Sequence, residues 1–558
     1  MKKQIDLQLL AAISGGVLFN FLFWMDRLAL NLLLYSIFII ALLLLDKGIV
    51  KSRKFFWFGA AHLLAGTLVV INNSALSIVS WYISLALFVG FAHYQLLRSI
   101  FTALLAFFLQ IFTAPFNLVK RALNVRFGNF SLKPIFKPIK YIIIPIIALT
   151  LFSVLYRIAI PVFDGYLSEV SDHIATFLDT IFSFLFADLS LIRFVHILFG
   201  IMVTAAILIK HQNNRLEQME LGFNEQLIRN RKNKSGFHVV YDLVAIFTGN
   251  LLTRKTALKT ENVIGIISFA ALNLLLLLLN CIDIVKLWLP QPSGTILVNY
   301  SEELHGGTNA LIISIIMAML VILYFFKGNL NFYSKNKTIR LLAYIWIIQN
   351  AFLVLSVLLR DYYYIDTNGL TYKKIGVLVF LLLCTIGLFT VYIKVAQQKT
   401  FFYLCKTNGM IWYILLLATS FVNWDVFIAS YNISHRDRIA VDVDHLMELS
   451  DKTLPLLDKN RAILEKYAYS SSAELIENII EPKPTDSIKI DTTQAPFDKN
   501  KFILEQQRRQ IDKFNATIDR RIDRFNEKWG EGSWLSWNYN DWRTHLYLKA
   551  KNKADNNP

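Results

Sequence analysis

The residues best placed to do chemistry begin at Tyr300–Leu311, "YSEELHGGTNAL", where Glu302, Glu303 and His305 precede two glycines and an apolar run. Glu303 and His305 could form an acid/base pair, because a carboxylate can orient an imidazole and tune it for proton transfer near neutral pH. A zinc site would need at least three protein ligands. His435, His445, His545 and Asp361 could add to the set, but no HExxH-type spacing links them, so no metal is assigned. The competing reading is architectural. Gly306 and Gly307 make a turn, Thr308 or Asn309 caps the next helix, and the carboxylates sit near its positive end.

A second polar block runs from Arg360 to Tyr372, "RDYYYIDTNGLTY", and continues into Lys373 and Lys374. Asp361 is a further candidate catalytic carboxyl. Arg360, Lys373 and Lys374 are candidates for binding an anion such as a lipid headgroup. Glycine-rich phosphate loops, Ser–His–Asp signatures and kinase motifs do not occur, and no cofactor is indicated.

Membrane helices must position these groups. The chain has 558 residues, 55% hydrophobic and 17% charged, with mean hydropathy +0.46; soluble domains carry about 25% charged residues. The apolar residues fall into continuous blocks of a length that crosses a bilayer as helix. Unpaired amides cannot face hydrocarbon, and the blocks do not alternate as barrel strands do. The fold class is therefore all-α: a polytopic transmembrane bundle of about eleven or twelve spans with a C-terminal extracytoplasmic helical domain. Spans are expected at 8–24, 28–45, 55–72, 75–93, 99–115, 141–163, 190–210, 262–282, 309–326, 339–359, 374–394 and 409–424. Four regions follow: 1–115, N-terminal spans; 116–260, a transmembrane pair with basic loops; 261–424, C-terminal spans; and 425–558, the tail.

The net charge of +17 does not point to nucleic acid, because 430–558 holds 21 basic and 21 acidic residues. The excess sits in short loops between spans, as the positive-inside rule describes. The basic segments 116–140, 211–260, 327–340 and 394–406 belong in the cytoplasm, and the tail after Trp424 belongs outside. Lys2, Lys3 and the cluster Lys47–Lys54 also favour the cytoplasm. Five spans before residue 116 would put 116–140 on the wrong side. Treating 99–115 as an in-plane segment resolves the conflict and gives an N-in, C-out chain; twelve spans with the amino terminus outside is the alternative. Residues 165–187 read as an amphipathic interfacial helix.

In the tail, Ser450 or Asp451 can cap a helix with Pro455 in its first turn. Ile511, Phe514, Ile518, Ile522, Phe525 and Trp529 make one apolar stripe on a long charged helix. The tryptophans of "WGEGSWLSWNYNDW" could pack on that helix or rest at lipid headgroups.

The blocks "YSEELHGGTNALI", "NGLTYKKIGV", "NWDVFIASYNI", "VDVDHLMELSDKTLPLL" and "WLSWNYNDWR" give 260–545 an ordered resemblance to a bacterial membrane family, domain of unknown function 4173, related to the 4153 group. Lys373 and Lys374 stand where that pattern usually has Arg, and Ser430 where it has Arg before "YN". The resemblance implies location in the bacterial cytoplasmic membrane and this architecture, with no activity attached. The functional reading is a non-enzymatic binding or interaction component of envelope signalling or assembly. Its partners are membrane lipids and a protein engaged through the tail. One alternative is a membrane enzyme acting on a lipid-linked substrate, with Glu303 and His305 as its chemistry and Arg360 as anion clamp. The other is a secondary transporter, for which ionisable mid-membrane groups are few, His62 being the main one.

Overall fold

The computed structural model describes residues 7–122, 148–153, 161–185, 190–210, 215–228, 257–289, 297–439, 441–468 and 499–555, with isolated positions between 126 and 157. The expected span at 141–163 is described only in part, and the linker 481–500 lies largely outside the described residues. Within them the regular structure is helical apart from one two-residue antiparallel ladder, Arg126–Phe127 with Phe130–Ser131, and one isolated antiparallel bridge, Gln226 with Lys399. Eight described helices are long and apolar enough to cross a membrane, and three shorter apolar ones accompany them. The chain divides into two compact units, each taken separately below.

The first unit holds residues 1–222 with 419–421 and 532–539. Its helices are α1 (Leu7–Phe23), α2 (Leu30–Leu45), α3 (Arg53–Asn72), α4 (Ala75–His93), α5 (Ile100–Ala122), α6 (Pro161–Leu185), α7 (Leu191–Leu208) and the short α8 (Arg215–Leu221). α1 and α7 pack closely because glycine lines their contact. A Cβ on Gly15 would lie 2.3 Å from the Thr204 methyl, and one on Gly16 would lie 2.2 Å from Ile201. Small residues of this kind let membrane helices approach, since burial of apolar surface drives little once both partners already sit in lipid.

α5 qualifies as a span by length and composition, yet its contacts run across the bundle. Its first turn meets the last turn of α4, where a Cβ on Gly90 would lie 2.5 Å from the Ala103 carbonyl. Midway, Gln110 donates 2.6 Å to the Ala206 carbonyl in the last turn of α7. Near its end, Leu118 packs with Ala12, Ala205 and Ile209. A spanning helix of this length would separate its ends by about 30 Å; these contacts all lie at one end of the unit. The glutamates of α8 fix the entry to α5. Glu220 accepts from the Arg98 and Ser99 amides at 2.7 and 2.8 Å and from the Thr102 hydroxyl at 2.6 Å. Carboxylates suit this place, where the first amides of a helix lack partners and carry positive potential.

The second unit holds the remaining residues from 223 onward. Its apolar helices are α9 (Ala257–Asp283, extended by a π turn, Ile284–Trp288), α10 (Leu297–Phe325), α11 (Lys337–Asn368), α12 (Tyr372–Ala396) and α13 (Phe401–Ser420). Phe269, Ile322, Ile339, Ala343 and Val395 are among the buried residues of their shared core. Gln349 donates to Asn273 at 3.1 Å and so joins α11 to α9, a polar contact of the kind that holds membrane helices together.

The tail comprises α14 (Trp424–Ser434), α15 (Val443–Glu448), a 3-10 turn Asp451–Thr453, α16 (Leu454–Lys459), a helical stretch 461–468, α17 (Lys499–Gly530) and α18 (Tyr539–Asp555). The expected stripe on α17 is buried as its spacing requires. Phe514 and Ile518 join Leu446, Leu457 and Leu464, while Phe525 meets Leu454 and Leu548. Pro455 does stand in the first turn of α16, but the Ser450 hydroxyl makes no cap there. It donates instead to Asp425 at 2.5 Å.

Candidate functional site

Three of the sequence blocks meet where α11 turns into α12 and α14 packs against the turn. α11 ends at Gly369, whose φ of +71° an L side chain rarely adopts, and a Cβ there would lie 2.8 Å from Asn432 Oδ1. The next residue, Leu370, is clasped by α14. Its amide donates to Asn432 Oδ1 at 2.7 Å, and Asn432 Nδ2 donates back to its carbonyl at 3.0 Å. Apolar packing closes round the clasp, with Ile365, Leu370 and Ile375 against Ile428, Ala429 and Ile433. Beyond it the Tyr372 hydroxyl donates to Asp425 Oδ1 at 2.6 Å, and Ser450 donates to the other oxygen.

The charged candidates divide along the helices. Arg360 forms an ion pair with Asp283, at the end of α9, and Asp283 is only 2% exposed. Its neighbour Asp361 faces a different partner. It is 6% exposed, lies within the electrostatic reach of Lys374, and leaves Oδ2 without a hydrogen bond from protein. Lys374 is buried, donating to the Tyr364 and Gly369 carbonyls at 3.0 and 2.5 Å, with its ammonium 3.9 Å from the Tyr364 ring centre. Lys373 is exposed. Successive helix residues point about 100° apart, so each adjacent pair splits: Arg360 toward α9 and Asp361 toward α12, Lys374 inward and Lys373 outward.

Glu303 and His305 lie within α10, whose helix runs unbroken through Gly306 and Gly307. The expected glycine turn and the helix start at Thr308 or Asn309 are thus corrected to a continuous helix; the side chains at 302–305 are outside the described residues. Positions 303 and 305, two apart on one helix, are about 200° apart around its axis. His435 stacks on Tyr431 and His545 on Trp529. Among the described residues no three His, Cys, Asp or Glu side chains gather as a metal site would require.

Two networks that the sequence did not single out hold the tail. Arg521 donates to Asp451 at 3.0 and 3.1 Å and to the Met447 and Leu449 carbonyls at 2.8 and 2.7 Å. Asp458 is buried, which alone would raise its pKa. Hydrogen bonds from Lys551 and Tyr547, the charge of Lys551, and Arg461 outweigh burial and hold it below the ordinary carboxylate range. These charges at tertiary contacts gave no local pattern that could have marked them, though Arg521 does neighbour the apolar stripe.

This arrangement, several apolar helices of spanning length with an attached helical segment, defines an integral, multi-pass membrane protein. The chain belongs to the family described as Domain of unknown function (DUF4153), whose model matches residues 58–460. The 4173 group that the blocks resemble is related to this family, and the match runs further toward the amino terminus than the blocks do, beginning within α3. No curated protein and no solved structure matches the chain.

Proposed function

We propose that the chain is a non-enzymatic binding or interaction component of envelope signalling or assembly in the bacterial cytoplasmic membrane, oriented N-in with the tail outside. The observation that carries the orientation lies within the first unit. The segment 532–539, between α17 and α18, bonds to the α1–α2 turn: the Arg27 amide donates to the Ser536 hydroxyl at 2.9 Å, and that hydroxyl donates to Asp26 at 3.1 Å. The other end of the same helices carries Lys47, Lys51, Arg53, Lys54, Arg98, Lys120, Arg121, Lys210 and Arg215, against Asp46, Glu217 and Glu220. That imbalance, nine basic to three acidic, favours the cytoplasm for the basic end and so the outside for the end that holds 532–539.

α5 lying across the basic end fits this path. α4 ends there, since His93 meets the Ile207 carbonyl at 2.7 Å; α7 begins at the other end, where His196 meets Asn20 at 3.3 Å. The chain must therefore return between Ala122 and Ser190, which is where the sequence places a span at 141–163.

The junction also favours binding and interaction over catalysis. Arg360 is spent on Asp283 and Lys374 on two carbonyls, so two of the three candidate anion-binding cations are engaged internally. The separation of positions 303 and 305 argues against a concerted pair. We take the clasp of Leu370 by Asn432 as the route by which events at the tail reach the spans. The test is complementation of a deletion strain. Compared at matched membrane abundance, Asn432→Ala should lose function, while Glu303→Gln and His305→Ala should retain it; the reverse pattern would support the membrane enzyme.

A further inference from the structure

We propose that a pocket at the basic end of the first unit binds the phosphate-bearing headgroup of an anionic phospholipid. The pocket, about 350 Å³, is lined by Asp46, His93, Gln95, Arg121, Lys210 and Glu217 among others. That volume is within the ~300–1,000 Å³ range of small-ligand sites. It opens where α1 begins and where α2, α4 and α7 end, at the level where apolar spans give way to polar loops.

The charges lining it are unequally available. Asp46 accepts from the Gly48 amide at 2.8 Å and from the Gln8 side chain at 2.6 Å. Glu217 accepts from the Leu96 amide at 3.2 Å. Lys210 is exposed, with its ammonium 4.8 Å from the Tyr94 ring centre and no carboxylate paired with it among the described residues. Arg121, which has other partners in the chain, also lines the pocket with a guanidinium, the fork that suits phosphate oxygens. The nine basic groups at this end supply a long-range field of the sign that gathers anionic lipid, about 1 kcal/mol for each Lys or Arg near a charged leaflet. Val50 in the lining and Leu7, Leu45 and Leu96 beside it are all exposed and offer an apolar surface for acyl chains. A free phosphate shares the headgroup's charge but would leave that apolar flank unused.

The experiment is a binding titration of the purified full-length chain in neutral detergent, using short-chain phosphatidylglycerol, short-chain phosphatidylcholine and inorganic phosphate. Phosphatidylglycerol should bind about tenfold more tightly than either of the others, a difference of about 1.4 kcal/mol. Lys210→Glu should weaken it about fivefold or more, without changing the unfolding temperature in the absence of lipid. Lys47→Glu, at the same end but outside the pocket lining, should weaken it clearly less than Lys210→Glu does. Equal binding of the two lipids, or of inorganic phosphate and phosphatidylglycerol, would overturn the proposal. So would equal losses in the two variants, which would mark diffuse charge instead of a site.

Discussion

Asn432 holds both main-chain groups of Leu370, accepting from its amide at 2.7 Å and donating to its carbonyl at 3.0 Å. One side chain of α14 thereby satisfies the peptide groups at the tight turn between two membrane helices. A buried amide or carbonyl left unpaired costs about 1–3 kcal/mol. Asn432→Ala should therefore lower stability by about 2–4 kcal/mol, seen as a lower thermal midpoint of the full chain in detergent. An unchanged midpoint would remove the clasp from the account.

Gly369 is the backbone counterpart of that clasp. Its φ is +71°, and a Cβ added to it would stand 2.8 Å from Asn432 Oδ1, so Gly369→Ala meets both strain and collision. Left-handed backbone costs an L residue about 1–2 kcal/mol. The variant should unfold at lower temperature than wild type, and combining it with Asn432→Ala should cost less than the sum, because one contact is lost twice. Strict additivity would show that the two positions act independently.

Asp361 and Lys374 predict a double-mutant cycle with a definite sign. The two are buried and lie within each other's electrostatic reach, so removing one charge leaves the other less compensated, whereas replacing both with apolar groups removes both. Asp361→Leu and Lys374→Met alone should each lower the thermal midpoint, and the double variant should recover much of the loss. Lys374 also supports two carbonyls, so its single variant should be the worse of the two. A double variant as unstable as the sum would contradict the pairing.

Acid should loosen the tail through Asp458. Its folded pKa is depressed, so the stability it contributes is complete above the ordinary carboxylate value of about 4 and is lost as pH falls through the lower folded value. Protease digestion of the tail should accelerate across that acidic window in wild type. Asp458→Asn should be more susceptible near neutrality and change less with acid. Parallel pH profiles for the two proteins would refute the linkage.

The sequence made the membrane helices legible because runs of twenty apolar residues have few other uses. It also showed the stripe on α17, since Phe514 and Ile518 are spaced for one helix face. Charge counting treated 99–115 as an in-plane segment, whereas Ile100–Ala122 qualifies as a span by length and composition. Tertiary pairing was less legible. Arg360 and Asp361 are adjacent in sequence, and only the neighbouring helices reveal that Arg360 pairs with Asp283 while Asp361 faces Lys374. Asn432 is a lone amide in "ASYNI", and its importance comes from the Leu370 peptide groups, 62 residues away. Gly306–Gly307 read as a turn because two glycines cost a helix about 1 kcal/mol each, yet α10 continues through them.

The measurement that tests the central claim most directly is labelling of Ala516→Cys, an exposed position on α17, with Cys281, Cys384 and Cys405 replaced by serine or alanine. A membrane-impermeant maleimide applied to intact spheroplasts should label it as fully as it does after lysis, because the account places the tail outside. Labelling only after lysis would put the tail in the cytoplasm, reverse the orientation read from the basic end, and contradict the proposed outward-facing role.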